Sequence, residues 1–348
     1  MTHPITPDLA GPLLTSPPPA HPVDEVLALA RAHFGLTGQA RRLTSERDLN
    51  LFLDGPEGRF VVKVTNAAEP AEATDFQTRA LRHIASRDPA LPVPRVVPAL
   101  DGCAAVPLPG GHLLRVLSWV EGLPMHQATP SDGLRASLGG MAARLTRALE
   151  GFAHPAAAHV LQWDIKQAAG LRPMLPAIAD PDLRALATDW IDRFDSAIAP
   201  RLPDLPWQVV HADLNPHNVL MDPDDPASVA GVLDFGDMVE TPRICDLAVA
   251  ASYHCDPAAP VLSLAGVIRA WHRILPMTPG EQALILDLAA IRMVTTITLA
   301  SWRAARYPDN AAYILRNLPA SSAGLQALSA LPRDLARSRL AAELESQP

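Results

Sequence analysis

The stretch Gln208–Val239 has the sequence QVVHADLNPHNVLMDPDDPASVAGVLDFGDMV and is the most informative segment of this chain. Asp213 stands two residues after His211, Asn218 follows five positions later, and a second apolar run ends in Asp234 of the tripeptide D-F-G. One carboxylate near an incoming hydroxyl, with an amide and a second carboxylate holding magnesium on phosphates, is the arrangement that phosphoryl transfer requires. The ordered set H-x-D-L-x-x-x-N followed by D-F-G is a specific indication of that chemistry, whereas each residue alone would mean little.

Apolar runs on either side of these residues predict short strands. Gln208–Val210 and Val219–Met221 would flank the loop that carries Asp213, and Val229–Leu233 would lead into Asp234. The polar residues would therefore lie on turns at the ends of strands.

These motifs resemble the catalytic core of the kinase-like small-molecule phosphotransferases, the family of aminoglycoside phosphotransferases, choline kinases and related enzymes. In that family the loop has the form H-G-D-x-x-x-x-N, and the segment 211–213 (HAD) is closer to it than to the protein-kinase H-R-D. The continuation 234–238 (DFGDM) and the run 43–50 (LTSERDLN) are similar to the hydroxylysine kinase branch in particular. The resemblance covers roughly residues 22–320 and implies a protein-kinase-like fold and the use of ATP.

Composition bounds the class of protein. The 348-residue chain is 48% hydrophobic and 19% charged, which is typical of a globular protein. Its net charge of −8 argues against a nucleic-acid partner, because no basic block could neutralise a run of phosphates. The same charge suits a small cationic substrate.

The sequence gives no indication of export or of membrane insertion. Residues 1–20 are rich in Pro and Thr and do not resemble a signal peptide. No uninterrupted apolar run approaches the roughly 18 residues of a membrane span. Cys103, Cys245 and Cys255 show no paired spacing, which favours a reducing interior. We therefore expect a cytoplasmic protein without a membrane partner, and its oligomeric state is left open.

The pattern predicts an α+β, bilobal fold with a small antiparallel β-sheet lobe that holds one helix, a larger mainly helical lobe, and a cleft between them. Residues 1–21 are predicted to be a flexible Pro-rich lead-in. The nucleotide-binding N-lobe would span 22–120, and the C-lobe for catalysis and substrate binding would span 121–330. Residues 331–348 would form a C-terminal helix or tail.

Within the N-lobe, periodicity predicts a helix over 22–34, strands over Arg42–Leu53 and Arg59–Val64, a helix over 71–86, and a hairpin about 109–111. In the C-lobe, only the three short strands of the catalytic segment are expected to interrupt the helices. Those helices are predicted at 131–150, 180–199, 243–255, 260–275, 280–300 and 301–318.

Lys63 is set among β-branched residues of a predicted strand. By the resemblance, its ammonium would bind the α- and β-phosphates of ATP; the alternative is an edge-strand lysine that only discourages aggregation. A kinase lysine needs a carboxylate to orient it, and we take Glu72 as the first candidate. Glu69 and Asp75 are alternatives, and Gln77 stands where some relatives would have Glu.

The glycine-rich phosphate loop of related enzymes is missing, and the segment 44–50 lies in its place. Backbone amides and the Ser45 hydroxyl would then hold the phosphates; the alternative is an ordinary hairpin turn. The segment 114–122 is predicted to be the strand and crossover between lobes. Adenine would bind there to main-chain groups of the residues from Ser118 to Val120.

Asp213 is the candidate for positioning the acceptor hydroxyl and accepting its proton. Asn218 and Asp234 would bind Mg²⁺ as hard oxygen donors. Asp237 is a candidate substrate carboxylate, with a turn or helix-cap residue as the alternative. Asp246 matches a family position that is structural and helps to hold the catalytic loop.

Further candidates for a substrate pocket come from the helical lobe. An arginine there could bind a substrate carboxylate, which an amino acid has and an aminoglycoside lacks; solvated helix faces are the alternative. The candidates are Trp302 and Arg303, with Trp163, Asp164, Arg292 and Arg306.

The predicted activity is an ATP- and Mg²⁺-dependent phosphorylation of a hydroxyl on a small, amine-bearing metabolite. A hydroxylated amino acid such as hydroxylysine, or an amino alcohol, is the first expectation, and an aminoglycoside the second. A catalytically silent nucleotide-binding protein and a metal-dependent hydrolase built on His211 and Asp213 are the alternatives. His211 is predicted to be structural, and no C-x-x-C pair supports a zinc site.

Overall fold

The computed structural model describes residues 18–45 and 47–346 and divides them into two compact units. The first unit, here called the sheet unit, contains 18–121 and Gly231–Gly236. The second, the helical unit, contains Gly122–Ala230 and 237–346. Most of the predicted lead-in, 1–17, lies outside the described residues.

The sheet unit is built on an antiparallel sheet. Its strand order is β1-β2-β3-β6-β4, with β5 paired to β6. The strands are β1 Gln39–Leu43, β2 Leu49–Gly55, β3 Gly58–Val64, β4 Val96–Val97, β5 Val106–Pro107 and β6 Leu113–Ser118. The helices are α1 Val23–Phe34 and α2 Ala71–Arg87, with a 3₁₀ turn at Pro109–Gly111.

The prediction of one strand over Arg42–Leu53 was wrong, because the chain turns within it. β1 and β2 are antiparallel partners that pair Leu43 with Asn50. Between them the backbone N–H of Asp48 donates to the Ser45 hydroxyl at 3.2 Å. A serine side chain that accepts a nearby N–H favours a turn over a continuing strand.

Alternation along the strands fixes the two faces of this sheet. One face is apolar and packs against α1, so its side chains form the core of the sheet unit. The buried residues of that core include Val26, Ala30, Phe34, Leu49, Leu51, Leu53, Val62, Val64, Leu114 and Val116. Lys63 and Arg115 lie between inward residues on β3 and β6 and are direct cross-strand partners. Both cations therefore belong to the opposite face.

The helical unit contains short strands among many helices. Strands β7 Leu123–Pro124, β9 Val219–Met221 and β10 Val229–Val232 form one small sheet, and β8 Trp207–Val210 pairs with β11 Val239–Pro242. The helices are α3 Asp132–Ala148, α4 Pro181–Arg193, α5 Ile244–Ser252, α6 Pro260–Ile274, α7 Pro279–Arg306, α8 Ala311–Ile314, α9 Leu318–Ser329 and α10 Arg333–Glu345. A long 3₁₀ segment covers Ile165–Ala177, and β10 begins in the helical unit and ends in the sheet unit.

The α+β prediction, with a small antiparallel sheet and a larger helical part, is confirmed. Further details were wrong. The strands β7 and β11 were missed, because a two-residue strand has no period to detect and β11 ends in Pro. The break predicted at 300/301 does not occur, since nothing there stops a helix; α7 continues to Arg306, and Pro308 restricts the residue that follows the helix.

Helix α7 is the central helix of the helical unit. Among the described residues, its length and composition would allow it to cross a membrane. The search for an uninterrupted apolar run did not predict this, because polar residues interrupt the helix. However, 94% of its most apolar window is buried inside the protein. It packs against α5, α9 and the segment Ile165–Ala177, and is therefore a core helix.

We expect Glu281→Ala to lower the free energy of unfolding by about 3 kcal/mol, because it breaks a buried ion pair. The fully buried Glu281 carboxylate accepts from Arg243 Nε at 2.8 Å and from the N–H of Thr278 at 2.7 Å. Chemical denaturation would measure the loss. Glu343→Ala is the matched control, because its pair with Arg269 is 31–33% exposed and should contribute less than about 1 kcal/mol. Equal losses would contradict this account.

Candidate active site

The loop after β8 has an unusual backbone that a buried carboxylate holds in place. Ala212 has a φ of 63°, a conformation that is costly for a residue with a Cβ. Its N–H donates to Asp246 Oδ1 at 2.8 Å, and Asp246 is completely buried on α5. Burial raises the pKa of Asp246, and the hydrogen bonds from Ala212 and His211 oppose that rise. This agrees with the structural role predicted for Asp246.

His211 has no exposed surface and braces the same loop. Its Nδ1 accepts a hydrogen bond from the backbone N–H of Asp213 at 3.2 Å. The contact agrees with the structural role predicted for His211 and fixes the backbone at the residue that carries the candidate base.

Three side chains donate hydrogen bonds to the carboxylate of Asp213. Asn218 Nδ2 and Asn215 Nδ2 donate to Oδ2 at 2.7 and 2.8 Å, and Arg292 Nη2 donates to Oδ1 at 3.1 Å. The Asp213 side chain is still 19% exposed. An acceptor-only, ionised carboxylate suits this set of donors. Its plane is thus fixed while solvent and small molecules can reach it.

Asn218 can serve as the predicted metal ligand through one atom. Its Nδ2 donates to both the main-chain oxygen of Asp213, at 3.1 Å, and the Asp213 carboxylate. The amide nitrogen is thereby oriented toward Asp213, which leaves Oδ1 as the hard oxygen donor that Mg²⁺ prefers.

Arg292 does not line a substrate pocket, and the prediction that it could bind a substrate carboxylate was wrong. It is 1% exposed, and its Nη1 donates to the main-chain oxygen of Trp163 at 2.8 Å. Burial lowers the pKa of Arg292, but Tyr253, Asp213 and, more weakly, Asp237 raise it further, so the net shift is upward. Asp237 is thus close to this cation.

The other predicted pocket residues have separate surroundings. Asp164 is buried and accepts from the Thr241 hydroxyl at 3.0 Å and from Lys166, so it is a structural carboxylate. Trp302 stacks against the guanidinium of Arg306 at 4.4 Å and, like Arg303, is half-buried. A substrate role for Trp302 and Arg303 stays a prediction.

Next to Asn218, the same loop carries a histidine that contacts a second histidine and an arginine. His217 stacks on His126 with ring centroids 4.2 Å apart, and its Nε2 is 3.1 Å from Arg316 Nε. Burial, Arg316 and His126 lower the pKa of His217 to about 4. His217 is therefore neutral at pH 7, and its Nε2 accepts a hydrogen bond from Arg316 Nε.

In the sheet unit, the carboxylate that pairs with Lys63 is not Glu72. Lys63 Nζ lies 2.7 Å from Asp48 Oδ2, whereas Glu72 is exposed. The other Oδ of Asp48 accepts from the N–H of Asn66 at 2.8 Å, which fixes the carboxylate. The assignment of Glu72 was wrong because the turn after β1 brings Asp48 beside β3.

The alternatives to Glu72 also have other partners. Asp75 pairs with Arg79, and Gln77 Oε1 accepts from Arg115 Nη1 at 2.9 Å. Glu69 interacts electrostatically with both cations: burial and the charge of Asp48 raise its pKa, while Lys63 and Arg115 lower it. Two cations of the sheet therefore share a group of carboxylates.

Asp234 belongs to the sheet unit and contributes to the same field. Burial lowers the pKa of Arg115, and the charges of Glu69, Asp48 and Asp234 oppose that shift. Asp234 has a φ of 58°, its Oδ1 accepts from the N–H of Gly236 at 3.1 Å, and its side chain is exposed. Its second oxygen is thus suited to bind a cation.

The predicted nucleotide contacts are only partly available. The Ser45 hydroxyl is used within its own turn by Asp48, as an ordinary hairpin turn would use it. The N–H groups of Ser118 and Trp119 donate to main-chain oxygens of Arg95 and Arg59 at 2.8 and 2.9 Å. Main-chain contacts from Ser118 or Trp119 would have to use carbonyl oxygens. Val120 stays a prediction.

Comparison with known proteins identifies the class. The model of the phosphotransferase enzyme family matches residues 39–284, so the chain belongs to this family. It is similar to hydroxylysine kinase of Danio rerio, with 27% identity over 326 residues that cover 88% of this chain and 90% of the relative. A shorter match, 34% over 143 residues, covers 39% of this chain and 40% of homoserine kinase of Caulobacter sp. (strain K31).

Solved structures show the same fold. A microcompartment-associated aminopropanol kinase aligns with a TM-score of 0.64 at 18% identity, covering 93% of this chain and 99% of that one. An aminoglycoside phosphotransferase from Alicyclobacillus acidocaldarius aligns with a TM-score of 0.61 at 18% identity, covering 94% and 98%. The chain is therefore a small-molecule phosphotransferase that acts on a hydroxyl group.

We expect Asp246→Leu to destabilise the protein by about 1–3 kcal/mol, since the N–H of Ala212 loses its acceptor in a buried site. Asp246→Asn is the matched control, because its amide oxygen can still accept that bond. Thermal denaturation, followed with the rate of product formation, would compare the two variants. A leucine variant as stable and active as the asparagine variant would contradict the role given to Asp246.

Proposed function

We propose that this protein is an ATP- and Mg²⁺-dependent kinase that phosphorylates a hydroxyl group of a small, amine-bearing metabolite. The observation that carries the proposal is the Asp213 carboxylate, which three donors hold in one orientation while 19% of its side chain stays exposed. A hydroxylated amino acid or an amino alcohol is the first expectation for the acceptor, and an aminoglycoside the second.

In the proposed reaction the acceptor hydroxyl attacks the γ-phosphorus of ATP. A new O–P bond forms, the bond between phosphorus and the ADP oxygen breaks, and the hydroxyl proton passes to Asp213. A positioned base of this kind contributes about 10²–10⁴-fold. Because the transition state is loose, alignment and charge neutralisation supply most of the remaining rate.

Lys63 supports the assignment of ATP as the phosphate donor. Its ammonium is on the face of the sheet away from the apolar core and pairs with Asp48 at 2.7 Å. In the proposal the ammonium binds the α- and β-phosphates, and Asp48 orients it as a helix carboxylate does in related kinases. Arg115, its cross-strand partner, adds a second cation, which is buried.

The donor chemistry of the chain fits Mg²⁺. Asn218 offers an amide oxygen and Asp234 a carboxylate oxygen, both of them hard ligands. When bound, the cation would neutralise charge on the transferred phosphoryl group. Among the described residues, no group of three or more His, Cys, Asp or Glu is arranged to hold a metal ion by itself.

The relatives support an amine-bearing acceptor. Hydroxylysine, homoserine and aminopropanol, the substrates in the names of similar proteins, all contain both an amino group and a hydroxyl. Asp237, whose charge acts on Arg292, is the candidate carboxylate for that amine. The net charge of −8 also favours a substrate that carries a positive charge, such as a protonated amine.

A second candidate is a catalytically silent nucleotide-binding protein. It is favoured by the absence of a glycine-rich loop in the segment 44–50 and by the use of the Ser45 hydroxyl within its own turn. Screening hydroxylated amines with ATP and detecting products by mass spectrometry separates the two. Turnover with one acceptor supports the kinase, and nucleotide binding without turnover across the panel supports the silent protein.

Asp213→Asn is expected to lower kcat by at least about 10²-fold, because the amide cannot accept the proton. Nucleotide affinity, measured by calorimetry, should change little, since Asp213 is not assigned to the nucleotide. Asp224→Asn, an exposed change in the turn after β9, is the control. Unchanged turnover of the Asp213 variant would contradict the assignment.

Asp234→Asn should raise the Mg²⁺ concentration for half-maximal rate about tenfold or more, because a charged ligand becomes neutral. Excess EDTA should stop the wild-type reaction. Asp54→Asn, an exposed change on β2, serves as the control and should leave the Mg²⁺ requirement as it is. An identical requirement in the Asp234 variant would remove this residue from the metal site.

A further inference from the structure

Arg292 is a buried cation whose contacts converge on the candidate base. It lies on α7 and is 1% exposed. A buried charge is costly unless it is paired and hydrogen-bonded. The guanidinium of Arg292, which lies among apolar residues of the helix, therefore needs a specific partner for its charge.

That partner is Asp213. Arg292 Nη2 donates to Asp213 Oδ1 at 3.1 Å and lies 3.0 Å from the Tyr253 hydroxyl, while Nη1 donates to Trp163 O at 2.8 Å. The rings of Trp163 and Tyr253 lie 5.3 and 5.8 Å from the guanidinium carbon. These contacts leave the guanidinium little freedom to move, so it acts as a fixed support for the carboxylate.

Counting lone pairs shows which oxygen of Asp213 is available to a substrate. A carboxylate has about four acceptor positions, two on each oxygen. Asn215 and Asn218 use both positions of Oδ2, and Arg292 uses one of Oδ1. The remaining position belongs to Oδ1, the oxygen that Arg292 holds.

We infer that Arg292 is a positioning residue for phosphoryl transfer, which aims the open position of Asp213 Oδ1 at the acceptor hydroxyl. The inference rests on the proposed function. The pair therefore favours Asp213 as a hydrogen-bond acceptor that orients the acceptor hydroxyl.

A double-mutant cycle with Arg292→Gln and Asp213→Asn tests this inference. Arg292→Gln alone should lower kcat about 10- to 100-fold, the value of a charge-assisted hydrogen bond, with little change in KM for ATP. In the Asp213→Asn background, the same substitution should change kcat by less than about threefold, because its route of action is already lost. An equal fall in both backgrounds would overturn the inference, as would an unchanged kcat in the single variant.

Two further variants separate positioning from folding. Arg292→Lys keeps the charge and should recover part of the rate that Arg292→Gln loses. Tyr253→Phe removes one contact of Arg292 and keeps Asp213 paired, so kcat should fall less than about fivefold. Arg273→Gln, an exposed arginine of α6, is the matched control for the loss of a guanidinium. Equal losses in the lysine and glutamine variants would overturn the inference.

Unfolding measurements on the same four proteins of the cycle keep the test independent of the substrate. The pair predicts that the double variant is less destabilised than the sum of the single variants. If the destabilisations of the two single variants simply add in the double variant, the two residues do not interact and the inference is overturned. If the stability effects are coupled but the wild type phosphorylates no hydroxylated amine, the proposed function is refuted, and with it the positioning role. Turnover by the wild type with additive kcat effects would refute only the role of Arg292.

Discussion

The candidate site depends on the ion pair between Asp213 and Arg292. The loop that carries Asp213 has a costly backbone at Ala212, and Asp246 and His211 hold that backbone from beneath. The carboxylate is fixed separately, because Arg292 holds one oxygen and two asparagines hold the other. The buried cation stabilises the ionised carboxylate, and the carboxylate in turn supplies the counter-charge without which burying the cation would be costly.

The sheet unit solves a related problem with different residues. Alternation places Lys63 and Arg115 as cross-strand partners on the face away from the apolar core. Like charges placed opposite each other are destabilising, so carboxylates must lie nearby. Asp48 pairs directly with Lys63, and Glu69 acts on both cations. A turn residue therefore does the work that the following helix was expected to do.

The sequence predicted the class of fold and the chemical groups well, because both are encoded locally. Alternating and helical periods gave most strands and helices, and the spacing of Asp213, Asn218 and Asp234 indicated phosphoryl transfer before any fold was known. The prediction failed where a period was too short to detect, as at β7, and where a side chain changed the backbone, as at Ser45.

The motif therefore establishes the set of reacting groups, because it fixes neighbours along a loop. The partners of those groups follow only from the folded chain. Arg292 stands 79 positions from Asp213, and an arginine among the apolar residues of a helix indicates a buried charge but not its partner. Asp48 replaced Glu72 for the same reason. A charge in the core pairs with whichever opposite charge the fold brings within hydrogen-bonding distance, and that distance does not follow from the distance along the chain.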